Sequence, residues 1–134
     1  MIIPQQLIEV LDIALSGYRK ENENFVISVF NGEEELLQVI NKNMSEESTS
    51  DDGSFGLALS ICFDKSEEAE IIHRYEHSYF GHESIKTEEE DLVYFTKVLE
   101  DTSEKAAKTI AKLLKKIYLL ESFNNLAFQI YEVE

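Results

Sequence analysis

Four short runs of apolar residues, rich in β-branched and aromatic side chains, constrain the fold of this chain more than any other feature. They cover residues 25–30, 55–63, 92–99 and 126–133. Runs of this length and composition are typical of β-strands, because an amphipathic helix spreads its apolar residues over a longer stretch, at every third or fourth position. The run at 55–63 is apolar on both faces, so we expect it to be a central strand of its sheet.

Two longer stretches have helical periodicity. From Pro4 to about Tyr18, apolar residues recur at steps of three and four, and Pro4 stands where the first turn of a helix tolerates proline. The second stretch is residues 101–120, in which Asp101 can cap the helix and Glu104 can return the hydrogen bond. Five lysines lie opposite the apolar stripe of this stretch. Both stretches predict amphipathic helices.

Two segments between these elements are harder to assign. Residues 33–43 follow Asn31-Gly32 and begin with three glutamates, which favour the N-terminal end of a helix, so we predict a second helix there. Residues 66–80 fit both a helix and a strand, because their apolar residues lie in helical register and also alternate with polar ones. We predict a strand, since a plausible turn precedes the segment and Gly81 ends it.

The resulting element order is α-β-α-β-β-β-α-β. Local antiparallel pairs with helices on one face predict an α+β fold, a two-layer sandwich of about five mainly antiparallel strands and three helices. The apolar fraction is 43% over 134 residues, enough for one continuous core without disulfides or a structural metal. We therefore interpret residues 1–134 as a single domain, with a polar and unstructured loop at 45–54.

The negative charge of the chain is concentrated in its middle. Residues 33–91 hold 17 of the 27 acidic residues and only four basic ones, and they contribute −13 of the formal net charge of −15. We expect one strongly anionic surface, which would repel nucleic acid and anionic lipid and would accelerate the approach of a basic protein. The candidate partner-binding residues are Asp51, Asp52, Glu67, Glu68, Glu70, Glu88, Glu89, Glu90 and Asp91.

The sequence contains no recognisable signal for export, membrane insertion or cofactor binding. The N-terminal stretch has no basic region and carries acidic residues inside its apolar pattern, and no apolar run approaches ~18 residues. We therefore expect a cytoplasmic protein that neither spans a membrane nor binds nucleic acid. The five glycines are dispersed, which argues against a phosphate-binding loop, and we expect no cofactor.

Three histidines and one cysteine are the remaining candidates for chemistry. His73 and His77 could share a helix face, but on a strand they would be about 13 Å apart, so we expect no metal site. His82 lies beside a carboxylate and a hydroxyl in residues 81–84, whereas the groups of a catalytic triad converge from different elements. Cys62 lies in an apolar run, which predicts a buried and unreactive thiol.

These patterns predict a binding protein rather than an enzyme. In size, acidity and lack of motifs, the chain resembles the small immunity proteins of contact-dependent or polymorphic toxin systems. This resemblance implies a cytoplasmic protein that blocks a bacterial nuclease-type toxin by placing carboxylates in a cleft built for phosphate. A second hypothesis is an acidic secretion chaperone for an effector protein, which would dimerise and expose an apolar groove. A third is a small enzyme that uses His82 or Cys62.

Overall fold

The computed structural model describes residues 2–44 and 54–133. The helices are α1 (Gln5–Tyr18), α2 (Ala69–Glu76), α3 (Tyr79–His82) and α4 (Ser103–Lys116), and a short 3₁₀ turn spans Lys42–Met44. The strands are β1 (Asn24–Asn31), β2 (Glu34–Asn41), β3 (Leu57–Asp64), β4 (Ile85–Glu89), β5 (Leu92–Val98) and β6 (Leu126–Val133). The chain is therefore an α+β protein, as its sequence predicts.

The six strands form one open antiparallel sheet in the order β4-β5-β3-β2-β1-β6, and the four α-helices pack on one of its faces. Strand β3 is central, as predicted from its two apolar faces. Side chains of the covered face, such as Ile27, Leu59 and Phe95, are buried against helix residues such as Leu11 and Ile110. Burial of each such side chain stabilises the fold by about 1.5–3 kcal/mol, so this layer holds the helices on the sheet.

Residues 33–43 form strand β2 and the start of the 3₁₀ turn, so the prediction of a helix there is wrong. Asn31 pairs with Glu34, so Gly32 and Glu33 form the two-residue loop of a β1–β2 hairpin, and Gly32 takes a φ of +64° that favours glycine. A bulge in the pairing of β1 with β2 lets both Leu36 and Leu37 enter the core. Pairing on both sides of β2 outweighs the glutamates that favoured a helix.

Residues 66–80 form helices α2 and α3 instead of the predicted strand. The side chains that alternate in sequence also lie one helical turn apart, and Tyr75 and Phe80 are buried on the helix face that meets the sheet. The predicted turn before the segment is present, because Asp64 accepts hydrogen bonds from the backbone amides of Ser66 and Glu67, but it leads into a helix that begins at Ala69 rather than into a strand. Strand β5 pairs with β3 on one side and with the edge strand β4 on the other, and the sequence patterns do not predict β4.

The other elements agree with the sequence in type. Helix α4 is capped by Thr102, whose hydroxyl accepts from the amide of Lys105, rather than by Asp101. The predicted loop 45–54 lies outside the described residues except for Ser54. Among the described residues, no helix is long and apolar enough to cross a lipid bilayer.

The opposite face of the sheet is not covered by any helix within residues 2–44 and 54–133. A small apolar cluster of Val26, Ile40 and Ala58 lies there, with Met44 and Val133 packed against it. Cys62 lies on the same face, opposite Tyr94 in the register of β3 with β5, and it is exposed. The prediction of a buried thiol is therefore wrong, because it depended on a helix layer that covers only one face.

Candidate protein-binding surface

The topology brings separate acidic segments to one end of the sheet. Because β3 is antiparallel to both β2 and β5, the end of β3, the tip of the β4–β5 hairpin and the β1–β2 turn all lie at the same end. We call this the acidic end and define it by residues 33–35, 64–70 and 86–91. These segments contain eleven acidic residues and two basic ones.

The tip of the β4–β5 hairpin carries four consecutive carboxylates. Glu89 pairs with Leu92 across the hairpin, so Glu90 and Asp91 form its two-residue loop. Glu90 has a φ of 46°, a left-handed conformation that is strained for a residue other than glycine. A concavity of about 690 Å³ is lined by Glu89, Glu90, Asp91 and Leu92. The hairpin tip is therefore a concave surface lined mainly by carboxylates.

A second acidic group follows β3 directly. The Oδ1 atom of Asp64 accepts hydrogen bonds from the Ser66 amide at 2.8 Å, the Ser66 hydroxyl at 2.6 Å and the Glu67 amide at 3.1 Å. These bonds, that of the Ser66 hydroxyl first, lower the pKa of Asp64 and keep it charged. Glu68 folds back to accept from the Asp64 amide at 3.0 Å, whereas Glu67 is exposed.

The two acidic groups are joined by direct contacts. The Lys65 amide donates to the Asp91 carbonyl oxygen at 2.7 Å, which fixes the turn after β3 against the hairpin loop. The Lys65 ammonium lies 3.5 Å from the Glu88 carboxylate, and Lys86 bridges Glu88 at 3.2 Å and Glu76 at 2.9 Å. The hydrogen bond from Lys86, with the charge of Lys65, lowers the pKa of Glu88. Both lysines of the acidic end are therefore engaged with Glu88.

The carboxylates at the tip remain unmatched. Among the described residues, Glu67, Glu89, Glu90 and Asp91 form no ion pair, and all four are exposed. Glu70 lies 3.6 Å from Arg74, an exposed contact of small energetic value. Within the same described ranges, no lysine of α4 pairs with a carboxylate of the acidic end.

The β1–β2 turn adds the carboxylates of residues 33–35, which the sequence predicts to lie in a helix. The Tyr118 hydroxyl donates to the Leu36 carbonyl oxygen. The negative charges of Glu34 and Glu68 interact electrostatically with this hydroxyl. Burial first, and then these negative charges, raise the pKa of Tyr118. An Asn-Gly pair after an apolar run is a strong hairpin signal, and it could have placed Glu33, Glu34 and Glu35 at this end from the sequence.

Comparison with known proteins finds no matching family and no significantly similar curated protein or solved structure. Function is therefore inferred from the chemistry of this chain.

Seven of the nine predicted partner-binding residues lie at the acidic end. The remaining two, Asp51 and Asp52, lie outside the described residues. The residues that flank them, Met44 and Ser54, are at the opposite end of the sheet, since Asn41 pairs with Leu57 there. The structure thus brings the clusters at 67–70 and 88–91 together and adds Asp64 and the β1–β2 turn to them.

The three histidines lie in the region of α2 and α3, and His82 is the last residue of α3. The ring of His73 in α2 is 4.1 Å from that of His77, the residue directly after the helix, and His77 Nδ1 is 2.8 Å from the His73 carbonyl oxygen. Among the described residues, no group of three metal-ligating side chains occurs. Although Cys62 is exposed, neighbouring groups partly shield its thiol from water, which raises its pKa, and the charges of Glu68, Asp64 and Glu89 raise it further, so the reactive thiolate is disfavoured.

Proposed function

We propose that this protein binds a basic protein partner through the acidic end, and that it acts in the cytoplasm as an immunity protein that blocks a bacterial nuclease-type toxin. The observation that supports this most is the Lys65–Asp91 backbone contact, since it holds two acidic clusters as one surface. A nuclease needs a basic cleft for phosphate, and a surface with many carboxylates at fixed positions can occupy that cleft.

The unmatched carboxylates are the ones that a basic partner would contact. Glu89, Glu90 and Asp91 repel one another in the free protein, and this repulsion would be relieved when lysine or arginine side chains approach. Glu88 already lies between two lysines, so it has less to gain from a partner. The proposal therefore places the binding energy at the hairpin tip and at Glu67.

A matched pair of variants tests this function. The double variant Glu89→Lys/Glu90→Lys reverses two charges at the hairpin tip, whereas Glu9→Lys/Asp12→Lys makes the same change in net charge on the exposed side of α1. Each is produced together with a nuclease-type toxin domain encoded beside this chain. We expect the hairpin variant to lose both the complex and protection of the cell, and the α1 variant to keep them. Equal protection by both variants would contradict the proposal.

A second candidate function is that of a secretion chaperone. It is favoured by an apolar groove of about 750 Å³, lined by Ile2, Pro4, Phe123 and neighbouring residues, in which Ile2 is 88% exposed. Such a groove could hold an unfolded apolar segment of an effector. Light scattering during gel filtration distinguishes the two functions, since the chaperone requires a dimer and an immunity protein can act as a monomer.

A further inference from the structure

A separate cleft lies between α3, the end of β5 and α4. Its volume is about 720 Å³, which suits a small organic molecule. Tyr79, Phe80 and Leu99 provide apolar surface, and Tyr79 is 68% exposed. The cleft contains none of the residues that define the acidic end, so its chemistry is independent of the proposed function.

A lysine lies in the floor of this cleft. Lys97 is only 7% exposed, and its Nζ atom is 3.2 Å from Glu83 Oε2 and 3.4 Å from the Val98 carbonyl oxygen. An ammonium group has three N–H donors, and no further partner for the third occurs among the described residues. A nine-tenths buried charge with an unused donor gains from an acceptor supplied by a ligand.

The two carboxylates of the cleft are already engaged within the protein. Glu83 accepts from the Tyr79 hydroxyl and from Lys97, and these bonds lower the pKa of Glu83. Glu100 Oε2 accepts from the Thr109 hydroxyl at 2.5 Å. These acids are therefore held by donors from the cleft itself.

Two further lysines of the cleft have no carboxylate partner among the described residues. Lys112 and Lys116 lie one turn apart on α4 and line the cleft, and they form no ion pair among the described residues. With Lys97, the cleft has three ammonium groups to two carboxylates in a protein whose net charge is −15. This reversal of sign next to an apolar wall is the pattern of a site for an amphipathic anion.

We propose that the cleft binds a small organic anion whose acidic group is held by Lys112 and Lys116 and whose aromatic or aliphatic body lies against Tyr79, Phe80 and Leu99. The third N–H of Lys97 is available to the same acidic group or to a polar atom of the body. The ligand class is a carboxylate, sulfonate or phosphate ester of about ten to twenty non-hydrogen atoms, a size consistent with a pocket of this kind.

Two fluorescent probes that differ in charge test this site. 1-Anilinonaphthalene-8-sulfonate carries the anion and the apolar body, and N-phenyl-1-naphthylamine has the same rings without the sulfonate. We expect the sulfonate to bind the native protein and Lys112→Glu/Lys116→Glu to weaken its binding by roughly tenfold or more, since charge-assisted hydrogen bonds are lost. The neutral probe should bind both proteins equally.

The matched control is Lys105→Glu/Lys108→Glu, which makes the same charge change on the same helix at exposed positions outside the cleft. We expect this control to keep the affinity of the sulfonate within about twofold, because the sites are exposed and screened by salt. Circular dichroism establishes that all variants are folded. The proposal is overturned if the cleft variant retains the affinity, or if both variants lose it equally.

Discussion

The backbone amide of Lys65 donates a 2.7 Å hydrogen bond to the carbonyl oxygen of Asp91, and this bond fixes the turn after β3 against the tip of the β4–β5 hairpin. Neither residue contributes its side chain to this hydrogen bond, so the contact depends on the path of the backbone. It places Asp64 and Glu67 beside Glu89 and Glu90 although more than twenty residues separate them in sequence. The acidic end is therefore a product of the sheet topology.

Association with a basic partner should depend strongly on salt. The rate constant for association is expected to fall by about tenfold or more between roughly 20 mM and 500 mM salt, since the Debye length falls from about 20 Å to about 4 Å. Stopped-flow or surface-based kinetics measure this rate. An association rate that does not change with salt would indicate an apolar contact surface instead.

Glu90→Gly should stabilise the fold while it removes one carboxylate from the hairpin tip. Relief of the strained φ of 46° is favourable by about 1 kcal/mol, and it exceeds the greater unfolded-state entropy of glycine, so we expect a gain of about 0.5 kcal/mol. The control Glu89→Gly lies within β4 and should destabilise by about 0.5–1 kcal/mol. Urea unfolding measures both, and a loss of stability in Glu90→Gly would disprove the strain.

Gly81 should not tolerate a side chain. A Cβ atom there would overlap the Tyr75 carbonyl oxygen and lie 2.8 Å from Glu76 Cα, so α2 and α3 would have to separate. We expect Gly81→Ala to lower the free energy of unfolding by about 2–3 kcal/mol. Gly17→Ala in α1 meets nothing within 4 Å and should instead raise it by about 0.5 kcal/mol. Equal thermal midpoints for the two variants would contradict this packing.

Tyr75 should make the fold sensitive to alkaline pH. Burial raises the pKa of Tyr75 to about 12 from 10, although the hydrogen bond with the Ser84 hydroxyl opposes the shift. Above pH 10 the unfolded chain loses this proton while the folded protein keeps it, so stability falls with rising pH until about pH 12. The contribution is up to about 1 kcal/mol per pH unit.

The matched measurement for this effect uses Tyr75→Phe. At pH 8 the variant should lose about 1 kcal/mol, because the hydroxyl that bonds Ser84 Oγ at 2.7 Å is gone. Between pH 10 and 11.5 its stability should decrease less steeply than that of the wild type, while Tyr118, also buried, contributes to both proteins. If the free energy of unfolding falls with pH equally steeply in both proteins, Tyr75 is not the cause of the loss of stability at alkaline pH.

Local patterns predicted the two longer helices and the strands at 25–30, 55–63, 92–99 and 126–133, because their apolar residues are continuous or periodic over a whole element. The same patterns misplaced residues 33–43 and 66–80. In residues 33–43, three glutamates favour the start of a helix, but the segment is stabilised as β2 by pairing with both β1 and β3, and such pairing is not visible in the pattern of one segment. In residues 66–80, the apolar spacing fits both a helix and a strand, and the helix allows Tyr75 and Phe80 to be buried.

The sequence by itself determined an acidic α+β chain with its carboxylates concentrated in residues 33–91, since composition, periodicity and charge are local properties. Only the tertiary structure decided that residues 33–35, 64–70 and 86–91 share one end of the sheet, that Cys62 is exposed and that Lys97, Lys112 and Lys116 line one cleft. The physical reason is that strand pairing and helix docking are long-range contacts. The order of the strands in the sheet and the position of each helix on it determine which side chains meet. Residues that are adjacent in the sequence do not determine that order.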